Sequence, residues 1–73
     1  MDIKELEVIR VRCEKATPGP WRCGGLDGFK VMGDGYMLCD VASTINADFI
    51  AHAREDVPKL IAEIIRLKDK YND

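Results

Sequence analysis

Residues 29–38 read FKVMGDGYML, and this stretch decides the fold class. An Asp-Gly pair tolerates the positive φ values that a two-residue reversal demands, so Gly33-Asp34-Gly35 predicts a hairpin turn between FKVM and YMLC. Alternation then places Phe29 and Val31 on one face and Lys30 and Met32 on the other. Just upstream, GGLDG at 24–28 separates this hairpin from WRC at 21–23, a further strand-like piece. Five of the six glycines fall within residues 21–42, which marks this segment as the β region. Two or three short antiparallel strands are expected.

Working outward toward the N-terminus, residues 15–21 read KATPGPW. Pro18 disfavours helix at Thr17 and removes an amide donor, so a preceding helix must stop here. Pro18 and Pro20 fix φ while Gly19 allows a tight or left-handed step, so the turn presents Trp21 rigidly. Residues 2–15 predict that helix. Asp2 can cap it, and Ile3, Leu6, Ile9 or Arg10, and Cys13 recur at three- to four-residue steps, with Ala16 closing the face. Val8 and Val11 lie partly off the stripe, so either the helix is buried on two sides or it meets a second chain.

Toward the C-terminus, residues 46–71 predict helix, capped by Thr44 or Asn46. Phe49, Ile50 and Ala53 give the first apolar face; Leu60 or Ile61, Ile64, Leu67 and Tyr71 continue it as a stripe that can pack on the sheet. Ile65 widens the stripe beyond what one partner covers. Pro58 cannot donate to the Arg54 carbonyl, so the segment is expected to kink or split at residues 54–57, with Asp56 as a second cap. The plan is α+β: one helix, a two- or three-stranded antiparallel sheet, and a kinked or split C-terminal helix.

Size and composition bound the function. Seventy-three residues make a single small domain spanning 1–73. A chain of this size buries only about 60–65% of its unfolded surface, so its core is marginal. With 47% hydrophobic and 33% charged residues the composition is globular. No apolar run approaches the roughly 20 residues of a membrane span. The net charge is −2 with acids and bases interspersed, where a duplex-binding protein would carry a basic stripe. Neither membrane nor nucleic acid duplex is expected as a partner.

Cys13, Cys23 and Cys39 form no CxxC pair, their number is odd and no signal peptide precedes them, so a reducing cytoplasm fits. The cysteines and His52 are separated by 9, 15 and 12 residues and lack paired zinc-ligand spacing. No metal or cofactor is expected, which leaves self-association as the stabiliser, through Val8, Val11 and Ile65.

Two stretches carry a family likeness. Ala16–Trp21, ATPGPW, followed by Asn46–Glu63, NADFIAHAREDVPKLIAE, resembles a pattern in many short phage and prophage proteins. Their form is a helix ending in ATPGPW, a variable hairpin region, and N-A-x-F-I-A-x-A-R-x-D-[VI]-P-x-L-[IL]-x-E. The match covers about a third of the chain and leaves residues 22–45 without a counterpart. The resemblance implies a phage accessory role, such as countering host defence by sequestering a signalling nucleotide or by blocking a protein.

The candidate binding residues follow. Trp21 can stack on a base or serve as a core anchor whose indole N–H bonds a carbonyl. Arg54, Arg22 and Lys15 can meet an anion, although Arg54 also suits a capping corner with Asp48 or Asp56. His52 is the only group titrating near neutrality, but no nucleophile motif accompanies it, so no enzyme is expected. Asp27, Asp34 and Asp40 read as turn formers.

The first expectation is a non-enzymatic, oligomeric, cytoplasmic protein holding a small nucleotide-like anion at Trp21, Arg22, Arg54, Lys15 and His52. The alternative is a blocker or adaptor that meets a host protein through residues 22–42, with Phe29, Met32, Tyr36 and Met37 in contact.

Overall fold

The computed structural model describes residues 1–25 and 28–71. Its elements are α1 (Ile3–Lys15), β1 (Trp21–Gly24), β2 (Lys30–Gly33), β3 (Tyr36–Asp40) and α2 (Thr44–Tyr71). The class is the α+β arrangement that the hairpin and flanking helices predict. Leu26 and Asp27, within the GGLDG turn, lie outside the described residues.

The three strands form one antiparallel sheet in the order β1-β2-β3. Asp34 at φ 51° and Gly35 at φ 84° make the two-residue turn, with Gly33 paired to Tyr36 across it. Positive φ at both central residues matches the right-handed twist of the strands they join. Between β2 and β3 the register shifts, since Val31 pairs with Cys39 but Met32 with Met37. Leu38 is therefore an extra residue, and this bulge lets Leu38 and Cys39 both pack on the core, which strict alternation would forbid.

α1 starts as read: the Asp2 carboxylate accepts from the Glu5 amide at 2.8 Å. α2 starts earlier than predicted. Ser43 caps it, accepting the Asn46 amide on Oγ at 3.1 Å and the Ala47 amide on its carbonyl at 3.0 Å, where Thr44 or Asn46 was expected. Nor is α2 divided at Pro58, which lies inside one continuous helix. Residues on both sides of the proline, Ala51 and Ile61, are buried.

The packed face of α2 matches the expected one in part: Ile50 packs on the core and Ile61 is buried, but Phe49, Leu60, Leu67 and Tyr71 are not. Ala47 and Ala51 meet Val31, with Trp21, Leu38, Cys39, Val41 and Ile50 around them. Phe49, by contrast, is 74% exposed, Leu60 61% and Tyr71 71%. A helix that approaches a sheet closely needs small side chains at the contact, so the alanines meet Val31 directly, while Ile50 packs beside them and Ile61 is buried farther along the helix. α1 packs along α2, and its Leu6 is only 2% exposed. Burying a side chain such as Leu6 or Val31 stabilises the fold by about 1.5–3 kcal/mol each.

Candidate functional site

The KATPGPW turn is built onto α2. The indole N–H of Trp21 donates to the Thr17 carbonyl at 3.0 Å, closing the turn on itself. Across the sheet Trp21 pairs with Gly33, and a Cβ at Gly33 would fall 2.7 Å from the indole ring and 2.9 Å from Leu38. At Gly19, where the Gly19-Pro20 bond is cis, a Cβ would fall 2.7 Å from the Glu55 carboxylate and 3.1 Å from the Arg54 stem. Glycine is needed at Gly33 because the indole ring already occupies the space; at Gly19 the exposed Glu55 side chain would have to move aside. The Tyr36 hydroxyl and Thr17 Oγ1, 3.1 Å apart, tie the start of β3 to the same turn.

Arg54 joins three elements. Its guanidinium lies 5.8 Å from the Trp21 ring centroid, and Nη1 donates to the Cys13 carbonyl at 2.8 Å. A cation over an indole face is attracted by the ring's quadrupole, and a cation at a helix C-terminus meets its negative end. The ion pair with Asp48 or Asp56 considered for Arg54 is replaced by these longer-range contacts. Nothing in the spacing of the sequence signals the link between Cys13 and Arg54, which lie 41 residues apart.

Trp21, Arg22 and His52 line one cleft of about 370 Å³, together with Asp48, Ala51 and Glu55. Arg54 lies instead in the grooves on either side of the α1–α2 contact, and exposed Lys15 lines none of these concavities. His52 Nδ1 lies 2.9 Å from the Asp48 carbonyl and 3.3 Å from its carboxylate. The backbone hydrogen bond to Asp48, then the charges of Asp48 and Asp56, raise the His52 pKa above its ordinary value. Within the cleft His52 pairs with Asp48, and the carboxylates of Asp48 and Glu55 disfavour an added anion.

The opposite side of the sheet is uncovered by helix. From Val31, buried against α2, alternation turns Lys30 and Met32 outward. Met32 pairs with Met37, and Lys30 Nζ meets the Asp40 carboxylate at 2.8 Å. Phe29, Tyr36 and Met37 are exposed. Of the residues expected at a self-association surface, Val8 is exposed, Val11 is half-buried, and half-buried Ile65 lines a groove with Cys13 and Pro58.

The thiols of Cys13, Cys23 and Cys39 are free. Among the described residues no helix is long and apolar enough to cross a membrane. Comparison with family models, curated proteins and solved structures returns no match for this chain.

Proposed function

We propose that this chain is a non-enzymatic accessory protein of phage type, acting in the host cytoplasm by binding a host protein through residues 22–42. The uncovered side of the sheet carries this reading. Met32 and Met37 are paired there and the Lys30–Asp40 ion pair borders them, while Phe29 and Tyr36, on the Val31 and Gly33 side, are exposed at the two ends of the hairpin. Flexible thioethers beside aromatic anchors suit recognition of a protein surface.

Capture of a small nucleotide-like anion is the second reading. The cleft that gathers Trp21, Arg22 and His52 favours it. Asp48 and Glu55 on the same cleft oppose it, and the polar atoms of Trp21 and Arg54 are engaged within the fold.

The test is affinity capture from bacterial lysate with the wild-type chain and with Met37→Lys. The expected result is one protein retained near equal stoichiometry by the wild type and lost with Met37→Lys, at unchanged thermal melting. If the purified chain instead carries a releasable small molecule in native mass spectrometry, and Met37→Lys leaves that mass in place, the anion reading replaces it.

A further inference from the structure

The outer face of α2 carries a pattern that the hairpin reading does not use. Ile45, Phe49, Ala53, Asp56, Leu60, Ile64, Leu67 and Tyr71 follow one another at steps of 4, 4, 3, 4, 4, 3 and 4. At about 100° per residue these eight positions fall within an arc of roughly 100°, a seam along the whole helix. Every exposed large hydrophobic residue of α2 lies on this seam. A repeat of eleven residues averages about 3.67 per turn, which keeps a contact line in register between two helices.

The charges on one side of the seam are biased by sign along the helix. One flank reads Asp48, His52, Glu55, Lys59, Glu63, Arg66 and Lys70, with acids in its first half and bases prevailing in its second. We propose that α2 pairs with α2 of a second copy of this chain, antiparallel and two-fold symmetric, through the seam from Ile45 to Tyr71.

In that pairing Ile45 meets Tyr71 of the other copy and Phe49 meets its Leu67. An antiparallel two-fold sets each flank against the same flank of its neighbour, so Asp48 faces Arg66 and Glu55 faces Lys59. Asp56, the one charge within the seam, comes beside Lys59 of the other copy. A parallel pair would set Asp56 against Asp56, a like-charge contact that selects against that orientation. Within one chain Asp48 is held by His52 and Arg66 pairs with Glu63, and all four side chains are exposed and free to exchange partners. The proposal is independent of the hairpin reading, since none of these residues lies in 22–42.

Sedimentation equilibrium at micromolar concentration provides the test, with circular dichroism as the check on folding. The wild type should be a dimer, and Leu60→Glu a folded monomer. Asp48→Arg should weaken the dimer about tenfold, because two symmetric pairs are reversed at once, and the double variant D48R/R66D should restore it. These positions are about 27 Å apart along one helix, so the rescue can only act between chains. A monomeric wild type, a dimer indifferent to Leu60→Glu, or D48R/R66D no tighter than Asp48→Arg would each overturn the proposal.

Discussion

Where α2 meets the sheet the usual association of size with burial is inverted, although farther along the helix the large Ile61 is buried in the ordinary way. Inward lie Ala47 and Ala51, closed against Val31; outward lie Ile45, Phe49, Leu60 and Tyr71. Proximity sets the inner face, since the backbone of α2 can approach the sheet only where side chains are short. The outer face has no such constraint from its own chain. Hydrophobicity therefore locates a contact in this helix, but not which contact.

The largest expected effect comes from reversing the inner face. Ala51→Leu inserts three carbons where the site is only 4% exposed, and should destabilise the fold by about 1–3 kcal/mol or more. Phe49→Ala, a larger deletion two residues away, should cost under about 0.5 kcal/mol at concentrations where the chain is monomeric. Urea melts of both variants at low concentration measure the contrast. Equal losses would mean that Phe49 is buried within the single chain and that the two faces do not differ.

How much of this was legible follows the range of the interactions. The hairpin and the Asp2 cap are local, and FKVMGDGYML and DIKE carry them openly. The helix stop at Thr17-Pro18 is equally local. The inner face of α2 is legible only in part: periodicity finds Ile50 and Ile61 but weights Phe49 above Ala47 and Ala51, and says nothing of interaxial distance. The Leu38 bulge was hidden because YMLC alternates acceptably without one. For the site, Trp21 as an anchor bonded to a carbonyl was available from the turn chemistry. The clamp of Arg54 on Cys13 was not, because it depends on how α1 packs against α2.

That clamp gives an effect of intermediate size. Arg54→Lys keeps the charge but removes the planar group that lies over Trp21 and reaches the Cys13 carbonyl, so a loss of about 1–2 kcal/mol is expected in thermal or urea unfolding. Unchanged stability would place the hold between α1 and α2 in their apolar contact alone.

The smallest effect belongs to the solvated side. His52 has a folded pKa raised by Asp48, so its contribution is fully present below the unfolded value of about 6.5 and disappears as pH rises through the folded value. The wild type should gain slightly in melting temperature, relative to His52→Gln, as pH falls from 8 to about 6. Parallel melting curves for the two proteins across that range would remove His52 from the stability of the chain.

Trp21 and Gly33 face one another across β1 and β2, and the ring fills the space that a side chain at 33 would need. Bulk at one position is thus the complement of emptiness at the other. A larger residue at 33 requires a smaller ring at 21 and a shift of Leu38 as well, so position 33 cannot change by itself. Sequences sharing this architecture should therefore show anticorrelated volumes at these two positions, twelve residues apart along the chain.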